Sequence, residues 1–127
     1  MRSTVSRDGL TVMESYSPKF HDRTVENARW ADFTVAFAVD FTSPGERLTA
    51  TAAGNEYLPF DLPHDGAGLE DDALRRRMAI ILSRRLESMT EPVRLNVAGS
   101  TAAELARHGI SQEQADAFVT DVLGRAV

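Results

Sequence analysis

Cysteine is absent from this 127-residue chain. That excludes disulfides, thiolate metal sites and thiol nucleophiles. Lysine is nearly absent too: Lys19 is the single one among 14 basic residues, so the cationic chemistry belongs to arginine. Arginine suits planar and phosphate groups, and a GC-rich coding sequence would produce the same bias. A positive charge balance is also missing. With a net charge of −5 and a pI near 5.1, the chain is not a general nucleic-acid binder, which needs a net basic surface. No stretch approaches the roughly twenty apolar residues of a membrane span, and nothing resembles a signal peptide. A protein of the cytoplasm with no membrane partner is expected. What the chain does have is 43% hydrophobic residues, enough for one core in one domain over residues 1–127.

The pattern alternates strands and helices. Residues 1–9 have no period and read as a loose N-terminus. Leu10 to Tyr16 reads as a short edge strand, and Asp22 to Ala28 as a short helix or turn. Thr34 to Phe41 is almost wholly apolar, as a strand covered on both faces must be. Pro44 then stands at a first helical position, where its missing N–H costs nothing, and Gly54 ends that helix. Glu56 to Leu62 reads as a second strand, which Pro59 makes either an edge strand or an irregular one. The longest helix is expected from Leu69 to Met89, with Leu74, Met78, Ile81, Leu82, Leu86 and Met89 on one stripe. Val93 to Val97 is the third strong strand. The last helix presents Ala115, Phe118, Val119, Val122 and Leu123 together.

Three capping boxes punctuate these helices: Ser43 with Glu46, Thr101 with Glu104, and Ser111 with Gln114. The fold class is α/β: a small parallel or mostly parallel sheet with helices on both faces, a partial Rossmann-like arrangement. Two strands end in a Gly-bearing turn that opens a helix, at Ser43-Pro44-Gly45-Glu46 and at Ala98-Gly99-Ser100-Thr101. Such a turn aims backbone N–H groups beyond the sheet, where an anion fits.

Asn27, Asp32, Gly45, Leu48-Thr49, Asp61-Leu62 and Asn96-Val97-Ala98-Gly99 occur in the order seen in another group of proteins. In this the chain, from about Arg23 onward, resembles the molybdenum-carrier branch of the SLOG Rossmann-like superfamily. It departs from that pattern at Pro44, where the family has Gly, and at Glu46, where it has Thr. The family's N-terminal Gly-Gly-Gln-Thr-Gly phosphate loop has no counterpart. The resemblance implies half of such a domain, whose open edge and uncovered face would be completed by a homo-oligomer. The TVAFAVDF and LNVAG segments, and the length, are also similar to the phage anti-Thoeris proteins. Those are small oligomers that sequester cyclic ADP-ribose isomers, some also taking cyclic oligonucleotides. Both resemblances imply a small nucleotide-derived ligand held without turnover, in the host cytoplasm for a phage-encoded chain.

The candidate binding residues are Asn27, Arg29, Asp40, Phe41, Ser43, Gly45, Thr49, Asn96, Ala98, Gly99 and Ser100. Asp40 ends a strand, where a carboxylate accepts from ribose hydroxyls; a solvated loop acid needs no such partner. Asn96 interrupts an apolar strand and must be hydrogen-bonded, to a turn or to a ligand. The amides of Gly99 and Ser100 form the best anion cradle. Ser43, Gly45 and Glu46 serve equally as a helix cap. Arg29 suits a phosphate and Trp30 a base, although a lone Trp before a strand is commonly a core plug. Arg75, Arg76 and Arg77 cannot share one helix face, so the run reads chiefly as solvated surface.

Catalytic, cofactor and metal sites are not expected. His21, His64 and His108 lack metal-ligand spacing, and no Gly-x-Ser-x-Gly elbow occurs. Other SLOG relatives are phosphoribohydrolases that use a Glu beside a Pro-Gly-Gly turn. Pro44-Gly45-Glu46 is similar in flavour but lacks the second Gly. The remaining alternative is an interaction module that binds no small molecule.

Overall fold

The computed structural model describes residues 2–7, 10–15, 29–54, 56–90 and 93–126. Five strands form one sheet: β1 Arg2–Arg7, β2 Leu10–Ser15, β3 Phe33–Ala38, β4 Tyr57–Asp61 and β5 Val93–Gly99. Their spatial order is β1-β2-β5-β3-β4. All neighbouring pairs are parallel except β1 with β2. Four α-helices are described: α1 Pro44–Ala53, α2 Asp72–Glu87, α3 Ala102–Arg107 and α4 Gln112–Ala126. The expected α/β class is therefore observed.

Strand β3 is buried along its whole length, which explains a sequence apolar at every position but Thr34. Its alternate residues serve two different faces. Phe33, Val35 and Phe37 join Phe60, Leu95 and Val97 in the main core, against Met78 and Leu82 of α2 and Phe118 and Val122 of α4. Phe37 meets Phe60 at a centroid distance of 5.3 Å and Phe118 edge-on at 6.4 Å. The other face is built differently. Thr34, Ala36 and Ala38 lie beside Tyr57, Pro59 and Asp61 on β4, and Thr34 and Ala36 beside Asn96 and Ala98 on β5. It is a bed of small and polar side chains.

The crossovers explain the two faces. From β3 the chain steps outward through α1 to β4, then returns through α2 past β3 to β5. Right-handed crossovers in opposite directions place α1 and α2 on opposite faces. Helix α2 begins at Asp71, whose carboxylate accepts from the amides of Ala73 and Leu74. A 3-10 turn at Gly68–Glu70 precedes it, so the continuous helix expected from Leu69 starts later.

The N-terminal expectation is corrected. Arg2–Arg7 is not a loose end but the antiparallel edge strand, which moves β2 inside the sheet. Asp8-Gly9, the dipeptide between the two strands, is the sequence signal that was overlooked. Strand β4 lies at the other edge, where Pro59 is tolerated. The helix or turn expected over Asp22 to Ala28 lies outside the described residues.

The caps also sort themselves. Ser111 and Gln114 form the reciprocal box, at 2.9 and 3.1 Å. Thr101 accepts from the Glu104 amide at 3.1 Å. Ser43 precedes α1 but makes no side-chain cap, and Glu46 points inward instead.

Candidate functional site at the sheet's switch point

Strands β3 and β5 are neighbours, yet the chain leaves them toward opposite faces. Beyond β3 it enters α1; beyond β5 it passes through α3 to α4, which packs on α2. A crevice at the carboxyl ends of two such strands is where open α/β sheets bind ligands. The two Gly-bearing turns singled out in the sequence border this crevice and are laced together. The Val39 amide donates to Ser100 Oγ at 3.0 Å. The Ser100 amide donates to the Phe37 carbonyl at 3.2 Å. That second bond corrects the expectation of a free anion cradle: the Ser100 N–H is already engaged.

Acidic groups gather here. Asp40 is exposed, and its carboxylate accepts the Thr42 amide at 2.8 Å and the Thr42 hydroxyl. Those two bonds, with smaller help from His108 and His64, hold its pKa below the ordinary range. The His64 and His108 rings lie 4.8 Å apart, bringing the β4–α2 connector to the end of α3. Glu46 is 4% exposed. Burial, then the nearby Glu104 and Asp40 carboxylates, push its pKa up to about 7. The Ser43 hydroxyl is near enough to oppose that shift but makes no hydrogen bond of good geometry. Tyr57 is pushed up to about 12, by burial and then by Glu46.

Among the described residues, four buried side-chain polar atoms have no hydrogen-bond partner: Ser43 Oγ, Tyr57 OH, Asn96 Oδ1 and Glu104 Oε2. Buried polar groups are ordinarily paired, so each such atom calls for an explanation. These four belong to one region. Tyr57 and Asn96 flank Thr34 across the sheet, on its small-residue face. The amide of Asn96 donates to Thr34 Oγ1 at 3.3 Å, which leaves its carbonyl oxygen over. Glu46 connects this row to the crevice, interacting electrostatically with both Tyr57 and Glu104.

The structure brings Asp40, Phe41, Ser43, Gly45, Gly99 and Ser100 to the crevice, with Ala98, Asn96 and the buried Thr49 along the face that leads from it. Arg29 is exposed at the amino end of β3, away from the crevice at the strands' carboxyl ends. Trp30, beside it, lies under the Arg94 guanidinium at 5.3 Å. Asn27 lies outside the described residues. Tyr57, Glu104 and the two histidines were missed as binding candidates. Glu46 had been read as a cap, or as an incomplete match to the hydrolase turn. Nothing local marks them, because their proximity comes from strand order.

The arginine run is chiefly solvated, as expected: Arg76 and Arg77 are exposed and only Arg75 is half-buried. Arg75 reaches the Leu69 carbonyl at 2.9 Å and Asp121 at 3.2 Å, with its guanidinium over Phe118. Among the described residues no group of three His, Cys, Asp or Glu side chains could hold a metal ion, and no helix is long and apolar enough to cross a membrane. No protein-family model matches the chain, and no curated protein is significantly similar to it.

Proposed function

We propose that the chain binds a small nucleotide-derived signalling molecule at the β3–β5 crevice and holds it without turnover. The observation that carries this reading is the set of four buried, unpartnered polar atoms at and below the crevice. A ribosyl ligand supplies what they lack. Its hydroxyls donate to Glu104 and Asn96 and accept from Ser43 and Tyr57. The lining is too acidic to favour a phosphate beside Glu46 and Glu104, so a phosphate sits at the mouth, where the rings of His64 and His108 supply N–H donors. In its most concrete form, drawn from the resemblance to anti-Thoeris proteins, the ligand is a cyclic ADP-ribose isomer or cyclic oligonucleotide.

Native mass spectrometry with NAD, ADP-ribose, cyclic ADP-ribose isomers, cyclic di- and trinucleotides and AMP tests this. The expected result is a stoichiometric adduct whose ligand is recovered intact after denaturation, and which Gly99→Asp abolishes by placing a further carboxylate in the crevice. No adduct and no thermal shift with any member would leave the interaction module as the better account.

Glu46 favours a second reading. A buried carboxyl with a pKa of about 7 at a ligand crevice suits general acid–base work, as in a nucleotide phosphoribohydrolase. Recovery of free base and ribose phosphate, lost in Glu46→Gln with binding retained, would establish the hydrolase over the sequestering protein.

A further inference from the structure

Ile80 and Ile81 on α2 are 51% and 49% exposed, the two large apolar side chains left in solvent among the described residues. They do not share the core stripe of their helix, which is Met78, Ala79 and Leu82. With Arg77 and Arg84 they follow the spacing i, i+3, i+4, i+7, which is one face of a helix. A groove of about 510 Å³ runs beside this face and shares Ile80 and Arg84 with it. Its α2 residues, 76, 79, 80, 83, 84 and 87, form two successive diamonds of the same spacing, and Arg125 of α4 closes one wall. A diamond of that kind is the hole that accepts a side-chain knob from a facing helix.

We propose that this face is the contact between two copies of the chain, with α2 packed antiparallel on its twin about a two-fold axis. The argument is self-complementarity. Seating Ile80 in the diamond Ile80–Ser83–Arg84–Glu87 of the second copy fixes the register. That register sets Arg77, one turn before Ile80, opposite Glu87 of the second copy, and symmetry repeats the pair at the other end. Arg77, Arg84 and Glu87 are exposed, and none forms an ion pair with a described residue. The neighbouring cations are committed within the chain: Arg76 to Asp72 at 3.0 Å and Arg125 to Asp121 at 3.0 Å. The apolar knob, the small residue Ser83 that receives it and the two free charges of opposite sign thus meet in a single alignment. Ile81 lies beside the axis, and the Arg84 stem covers the partner's Ile80. The expected homo-oligomer is thereby placed on a helix face, away from the sheet edges.

Sedimentation equilibrium across a wide concentration range tests this with the full chain. A dimer is expected, and Ile80→Glu combined with Ile81→Glu should give a monomer with unchanged circular dichroism and a thermal midpoint that no longer depends on protein concentration, as the wild type's should. Arg77→Glu and Glu87→Arg should each weaken the dimer by about tenfold or more, and the double reversal should restore it. A wild-type chain that stays monomeric, a dimer that survives the isoleucine changes, or a double reversal no better than its single members would overturn the proposal.

Discussion

A glutamate in the first turn of a helix ordinarily faces water or turns back to cap; Glu46 does neither. Helix α1 presents Glu46 and Thr49 together as its buried residues, on the polar face of the sheet. The carboxyl therefore pays a desolvation penalty, increased by the Glu104 and Asp40 charges, and prefers its proton. The ordinary value of 4.5 applies to the unfolded chain and about 7 to the folded one. Between these pH values the folded state holds a proton that the unfolded state has lost. Stability accordingly falls as pH rises through that window and levels off above it, by on the order of 2–3 kcal/mol. Urea unfolding of the wild type at pH 5 and pH 8 measures this, and Glu46→Gln should remove most of the difference. Asp32, Asp40 and Asp121 have lowered values and act in the opposite sense, at pH below their ordinary 3.8. Their stabilisation is present above that value and lost as pH falls. Asn96 was legible from sequence because a polar residue broke an apolar strand. Glu46 was not, because its spacing from Ser43 matched a cap that the structure does not form.

Elements were legible where the signal is local, and the caps show where locality ends. Ser43, Thr101 and Ser111 each stand three residues before a Glu or Gln, and the structure makes a full box at Ser111, half of one at Thr101 and none at Ser43. Thr101→Ala should destabilise the fold by about 1 kcal/mol, the usual cost of losing an N-cap. Ser43→Ala should leave the thermal midpoint of the free protein nearly unchanged, since no cap bond is lost. If the two variants cost the same, the inward turn of Glu46 is wrong. Periodicity was read correctly in α4, whose buried residues fall on the expected stripe; in α2 Met78 and Leu82 are buried as expected, but Ala79 faces the core and Ile81, expected there, is 49% exposed. Phe118 is wholly buried on α4 between Phe37 and the Arg75 guanidinium. Phe118→Ala should cost about 3–5 kcal/mol in chemical denaturation. Strand β1 was missed because six residues of mixed polarity carry little period, although the Asp8-Gly9 dipeptide marks the hairpin.

For the whole molecule, strand order decides what the separate pieces can do. Placing β5 between β2 and β3 sets the chain's two Gly-bearing turns side by side and sends their helices to opposite faces. A ligand bound there touches both turns and bridges two crossovers, so it should stabilise the fold as a unit. At a free ligand concentration a hundred times its Kd the gain is about 2.7 kcal/mol. Thermal unfolding with and without the ligand found by mass spectrometry checks this, and Gly99→Asp should lose the shift while keeping its own midpoint.

Composition, caps and apolar periods determined much by themselves: an α/β chain without cysteine chemistry, the core strand β3, a Pro-bearing strand β4 unsuited to the sheet's centre, and the buried face of α4. These depend on contacts within a few residues, where side-chain spacing and backbone geometry are directly coupled. Only the tertiary structure decided that Arg29 stands at the amino ends of the strands, away from the crevice, that the Ser100 amide is engaged, and that Glu46, Tyr57, Asn96 and Glu104 share one polar region. The bond from the Val39 amide to Ser100 Oγ joins residues 61 apart in the chain. No local pattern encodes such a contact, because it exists only once the crossovers have chosen which strands become neighbours.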